Sequence, residues 1–381
     1  MSPAATVPEP LVAVLEALDY ADDPGLITAA DRATGPRDYQ WRDLRDKVGL
    51  DAAFFQDGVP IVGFASQGDA SGLLGVRRRL WNYGRVPLLV ATTDGTISAY
   101  NAVTLSGAVG SEFGEVLDSQ RRANTARDLL SAFARRQVES GRFAAEYGSS
   151  FQRAARVDRA LLRNLEYLRR TIAGTDLRRR NSIDVIVGGC LTASYLADRG
   201  ILNAEHLTGL TGLADLHSIL LAGRRATRRL FEGLASRFNG DVFGALPQAL
   251  TSLRNEDLHG VAALLQGDDL PSGQQSLWPY DFSVVPADLV STVYEQLLGE
   301  TQRADAAYYT PRFLVDTVLD EVLPWQGAQV PALIDIACGS GAFMTEAFRR
   351  LAYREYSSRR RPPTYDQLRA LLVDHIFGNR Q

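Results

Sequence analysis

Lysine is all but missing from this chain. Of its 41 lysines and arginines, Lys47 alone is a lysine. A genome rich in G and C accounts for such a bias, although arginine's planar fork also suits paired contacts to phosphate. Cysteine is scarce too. Cys190 and Cys338 lie far apart with no CxxC, and His206, His217, His259 and His375 have no metal-ligand spacing. That pattern excludes a disulfide framework and a zinc site, and a reducing cytoplasm is the natural setting. Nothing approaches 18 uninterrupted apolar residues, which excludes a helical membrane span. No basic start leads into an apolar core, so no signal peptide is expected. Internal repeats and low-complexity tracts are absent. The net charge of −4 gives no bulk attraction to nucleic acid, so any such surface has to be a local basic patch.

What remains is an ordinary globular composition, 45% apolar and 23% charged, long enough at 381 residues for two or three domains. Residues 1–48 read as a short helix, "EPLVAVLEALDYA", and a polar connector. Residues 49–114 read as a small α/β domain. Its strands are "VPIVGFA" (59–65) and "VPLLVATTDG" (86–95), with a helix ending at Gly84 between them and a hairpin turning at Asp94-Gly95. From 115 to 275 helical periodicity dominates, closing on a linker, "GDDLPSGQQ" (267–275). Residues 276–381 form a third region of helix, turn, strand, glycine loop and helix. The expected fold class is thus α/β plus α-helical.

The most informative stretch is "PALIDIACGSGAFMTEAFRRL": strand 332–337, loop 338–341, then helix 342–352. Gly339 and Gly341 allow a sharp bend and a close ligand approach. The helix start offers unpaired N–H groups suited to a carboxylate or phosphate. Asp335, at the strand's end, is placed to receive an ammonium or hydroxyl group. S-adenosylmethionine carries both an amino group and a carboxylate. A dinucleotide competes, but its G-x-G-x-x-G fingerprint lacks a third glycine here. A ligand-free strand–helix turn is the third reading. Upstream, "AAYYTPRFLVDTVLDEVLP" (306–324) reads as an amphipathic helix with Pro311 in its first turn and Thr310 as N-cap.

Together these segments resemble the N6-adenine DNA methyltransferases, with the large type IIG-like and phage-defence methylases nearest. The resemblance implies that Tyr309, Thr310 and Pro311, with Asp335, Ala337, Gly339, Gly341 and Phe343, bind S-adenosylmethionine. It implies a Rossmann-like methyltransferase domain beginning at 276, with DNA as the substrate partner. "WPYDFSVVPADLVSTVYEQLL", "SYLADRGIL" (194–202), "LFEGLASRFNGDVF" (230–243) and "LWNYGRVPLLVATTDGTISAYN" (80–101) extend the likeness upstream. The chain also departs from the family. Its catalytic N/D-P-P-Y/F tetrapeptide, which holds a flipped adenine, is absent. "RPPTY" (361–365) offers a donor and a threonine in place of an acceptor and an aromatic ring. "HIFGNRQ" reads as the start of a second strand, with Arg380 where the family places a ribose-binding acid. The sheet is therefore expected to be incomplete and the chain inactive alone, whether as a truncated gene, an excised piece or one half of a split enzyme completed by a second polypeptide. A non-catalytic DNA-binding or assembly subunit of a defence complex is the alternative; a methyltransferase for RNA or protein is a weaker one.

Two further features are open. The α/β domain is compatible with a degenerate nuclease-like scaffold, with Asp57, Asp69 and Asp94 as the available acids. Four arginine-rich clusters, at 75–85, 176–182, 223–230 and 349–361, read either as solvated helix faces or as phosphate contacts whose binding would weaken steeply with salt.

Overall fold

The computed structural model describes residues 7–378 except 32–34, 107–111, 121–130, 152–155, 175, 239–240, 267–279, 288, 291–292, 294–309, 311, 328, 340 and 360. The chain divides into two compact units: residues 1–31 with 42–298, and residues 32–41 with 299–381. Each is described separately.

The first unit begins with a mixed sheet of six strands in sequential order, β1 (Leu26–Thr28), β2 (Ala52–Gln56), β3 (Val59–Gln67), β4 (Leu88–Thr93), β5 (Thr96–Ser106) and β6 (Glu112–Gln120). Neighbours are antiparallel except β3 and β4. A parallel pair needs a crossover, and α2 (Ala70–Tyr83) supplies it. Asp69 starts α2 by accepting the Gly72 N–H at 2.7 Å, and Gly84, at φ +68°, ends it. α1 (Glu9–Ala17) buries Leu11, Val14 and Leu15 in one core with Phe54, Phe64 and Val90 of the sheet. The sheet is wider than expected. β6 enters a stretch read as helical, and β1 enters one read as connector.

Most other described residues of this unit are helical. α3 (Val157–Ala173), α4 (Leu177–Asp198), α5 (Ala204–Thr211), α6 (Leu216–Leu221), α7 (Arg224–Arg237) and α8 (Asn255–Gln266) share one core. α4 is the central rod. Ile183, Ile186, Val187, Cys190 and Leu191 are all buried, and burial pushes the Cys190 thiol up to about 12. The approach is close enough that a Cβ on Gly189 would sit 2.6 Å from Leu246. Tyr280, Phe282, Val285 and Val293 complete this core. The Phe282 N–H is accepted by Asp198 at 3.0 Å, and Arg199 donates to the Phe282 and Val285 carbonyls. The expected linker at 267–275 lies outside the described residues.

The second unit contains α9 (Arg312–Val322), β7 (Leu333–Asp335), α10 (Ala342–Arg359), α11 (Tyr365–His375) and β8 (Ile376–Gly378). β7 and β8 pair in parallel, Asp335 opposite Gly378, so the expected second strand begins at Ile376, one residue after His375. "RPPTY" is a turn into α11, where Thr364 and Gln367 form a capping box. Val315, Leu319, Leu323, Ala347, Leu351 and Leu371 make the core. Gly35 and Tyr39 pack here as well: the Gly35 N–H reaches the Tyr353 hydroxyl at 2.6 Å, and Trp325 lies between Tyr39 and Tyr353. Among the described residues no helix is long and apolar enough to cross a membrane.

Candidate cofactor site at the tip of the seventh strand

The turn from β7 to α10 is built by conformations that few residues other than glycine adopt. Gly339 has φ +50° and Gly341 φ +82°, both left-handed. The Gly341 N–H closes the turn on the Cys338 carbonyl at 2.7 Å. The Gly341 carbonyl then accepts the Thr345 N–H at 2.8 Å, which launches α10. A Cβ on Gly339 would meet no protein atom within 4 Å, so its outer face is open. Gly341 is buried, and a Cβ there would stand 3.3 Å from the end of Met344. The space is closed behind the turn and open in front of it.

Asp335 ends β7 half-buried and accepts the Ala337 N–H through Oδ1 at 3.1 Å. That bond fixes the carboxylate beside the glycine turn. Ala337 is exposed on the same turn, whereas Phe343 packs against the unit's core. Five of the residues singled out in the sequence, Asp335, Ala337, Gly339, Gly341 and Phe343, therefore stand on one strand–turn–helix. Thr310 is half-buried two residues before α9. Tyr309 and Pro311 lie outside the described residues.

A buried ionic clamp sets α9 against α10, and sequence reasoning did not single it out. Arg350 is 1% exposed. It donates to the Leu323 carbonyl at 3.1 Å, pairs with Asp320 at 2.8 Å and Asp316 at 3.6 Å, and lies 3.6 Å from Glu346, which is equally buried. One turn on, Arg354 donates to the Pro324 and Gln329 carbonyls. Arg350 thus holds the second half of α9 and its end, and Arg354 the segment that follows it. The available signal was Glu346 and Arg350 each directly before an apolar residue, Ala347 and Leu351, with Arg354 four residues on, which puts charge beside the inward side of a helix.

The acids considered for a nuclease have structural tasks. Asp69 is the α2 cap, while Asp57 and Asp94 occupy left-handed turn positions between paired strands. Lys47 pairs with Asp43 at 2.6 Å. Among the described residues no group of three His, Cys, Asp or Glu is close enough to hold a metal ion.

No curated protein and no solved structure matches the chain. A family model does: residues 285–364 match the one described as N-6 DNA methylase, which supports an N6 DNA methyltransferase family for the region that carries α9, Asp335 and the glycine turn.

Proposed function

We propose that the second unit is the methyl-donor-binding part of a DNA adenine-N6 methyltransferase and that its ligand is S-adenosylmethionine. The observation carrying this reading is the Asp335 carboxylate held beside a left-handed glycine turn inside the N-6 DNA methylase match. The donor set suits an amino acid. Asp335 would take the ammonium group. The free N–H groups of the first α10 turn would face the carboxylate. The open side of Gly339 leaves room for the backbone to be approached. Thr310, with Tyr309 and Pro311, would close the site from α9. Bound there, S-adenosylmethionine supplies the methyl group; the protein's part is to orient it.

The 381 residues contain no N/D-P-P-Y/F, so the chain alone should not transfer methyl groups. The adenine-holding segment would come with further strands. Support for added strands lies in the β7–β8 pair, which leaves Ile334, Ile336 and Phe377 exposed, since two strands alone are marginal. A restriction-modification or phage-defence role, completion by a second polypeptide, and a cytoplasmic setting belong to this proposal. The missing tetrapeptide also favours a second reading, a non-catalytic DNA-binding or assembly subunit. Equilibrium dialysis with methyl-tritiated S-adenosylmethionine, followed by incubation with mixed-sequence duplex DNA, tests the first. Retained label without labelled DNA is expected. Absence of retained label removes the cofactor site, and labelled DNA removes the claim of inactivity.

A further inference from the structure

The structure separates four arginine clusters that look alike in the sequence. In the first, Arg77 lies over the Tyr100 ring at 4.5 Å, Arg79 donates to the Val48 carbonyl at 2.8 Å, and Arg85 lies over Tyr83. In the second, Arg179 pairs with Asp257 at 2.5 Å and Arg180 with Glu166 at 3.6 Å. In the last, Arg350 and Arg354 donate to the Leu323, Pro324 and Gln329 carbonyls, Arg349 pairs with Glu346 at 3.4 Å, and Arg359 pairs with Glu355 at 2.6 Å. These three clusters spend most of their charge inside the fold.

The third is different. Arg224, Arg225, Arg228 and Arg229 are all exposed at the start of α7, and among the described residues none has an acidic partner. Glu232, one turn on, pairs with neither Arg228 nor Arg229. The opposite face of α7 is buried through Thr227, Leu230, Phe231 and Leu234, so the arginines form one solvent-facing stripe. The four form two i, i+4 pairs, Arg224 with Arg228 and Arg225 with Arg229, a like-charge spacing that weakens a helix. They also crowd the positive end of the helix dipole, with no acid in the first turn to offset them. Arg224, Arg225 and Arg228 line an open cleft of about 520 Å³ with Ala222 and Asn255. The cleft's floor is fixed: Asn255 Oδ1 accepts the Arg224 N–H at 3.1 Å and leaves no space for a Cβ on Gly223. A rigid helix start that gathers uncompensated guanidinium groups stands ready for anionic oxygens.

We infer that the α7 arginine stripe is a DNA-contacting surface that grips the phosphate backbone without reading sequence. The choice of DNA rests on the methyltransferase reading above; the stripe itself lies outside the N-6 DNA methylase match. Residues four apart on a helix are about 6 Å apart along its axis, close to the rise of roughly two nucleotides of one strand. Arg224 with Arg228 and Arg225 with Arg229 can therefore each reach phosphates about two steps apart on one strand.

The test is salt-dependent binding of the full chain to mixed-sequence duplex DNA by fluorescence anisotropy. One variant carries Arg224→Gln, Arg225→Gln, Arg228→Gln and Arg229→Gln. A control of equal charge change carries Arg142→Gln, Arg178→Gln, Arg361→Gln and Arg369→Gln at exposed positions elsewhere. Each phosphate contact contributes about 0.9 to the slope of log affinity against log salt. The α7 variant should lose roughly 2 to 4 from that slope and at least about tenfold in affinity at moderate salt. The control should stay close to wild type. Arg→Lys at the four α7 positions should keep the slope. Equal losses in the two Gln variants overturn the inference, as does a loss of binding to poly-glutamate with DNA binding untouched. S-adenosylmethionine binding is measured on the same proteins. If wild type holds the methyl donor but not DNA, the inference falls alone; if neither ligand is held, the methyltransferase reading falls with it.

Discussion

Arg350 donates to the main-chain carbonyl of Leu323 at 3.1 Å, tying the middle of one helix to the end of another. The guanidinium is 1% exposed and stands 3.6 Å from Glu346, which is 1% exposed as well. Removing one member of such a pair strands the other charge in the core, at a cost of about 3–5 kcal/mol. Arg350→Met should therefore destabilise the second unit by that order in urea unfolding. The double change Arg350→Met with Glu346→Gln should cost clearly less than the single one. Equal losses would mean that Glu346 is not what Arg350 neutralises.

Gly339 offers a cleaner probe of the ligand than Gly341. Asparagine tolerates the left-handed region, and a side chain at Gly339 meets no protein atom within 4 Å. Gly339→Asn should leave the unfolding midpoint nearly unchanged while lowering S-adenosylmethionine affinity by at least about tenfold, because backbone approach is what the glycine permits. At Gly341 a side chain is strained and stands 3.3 Å from Met344. Gly341→Val should lose stability as well as affinity. Unchanged affinity in Gly339→Asn would place the ligand away from this turn.

The two thiols should report on the helical core and on the glycine turn separately. Cys190 is fully inside α4, its thiol pushed up to about 12 by burial, and should not react with an aromatic disulfide reagent in the native state at pH 8. Cys338 sits half-exposed in the glycine turn. One fast thiol per chain is expected, absent in Cys338→Ser and slowed by saturating S-adenosylmethionine. Reaction of Cys190 at a comparable rate would contradict the packing of the helical core.

Asp198 gives a pH signature. Burial raises its carboxyl above the ordinary range, the Phe282 N–H lowers it, and the nearby Asp281 raises it again. The folded chain then holds this proton more tightly than the unfolded chain, whose value is near the ordinary 3.9. Stability should fall as pH rises from that unfolded value through the raised folded one, and Asp198→Asn should remove this component. Urea midpoints between pH 4 and 8 decide it. A wild-type slope of the opposite sign that vanishes in the variant would contradict it.

How far the sequence could be read follows from how local each signal was. The glycine turn, the crossover helix ending at Gly84, the Asp94-Gly95 hairpin and the strand "IFG" were legible because their residue types fix the chain within a few positions. β6 was not. Its residues Glu112–Gln120 carry charge and glycine, and they form a strand because β5 offers an edge to pair with. β1 is three residues long, too short for any periodicity. The clamp of Glu346, Arg350 and Arg354 was hidden because charged residues on a helix are ordinarily solvated, and burial depends on partners supplied by α9. The four arginine clusters were indistinguishable for the same reason: which charges are spent is decided by acids and carbonyls distant in sequence, as Arg179 with Asp257 shows.

The most direct trial of the account is titration calorimetry of S-adenosylmethionine into the wild-type chain and into Asp335→Asn, which keeps the side chain's shape and removes its charge. Saturable one-site binding in the wild type, weakened at least about tenfold by the substitution, is the outcome expected of a carboxylate that holds an ammonium group. Binding of equal strength in both proteins, or none in the wild type, would contradict it.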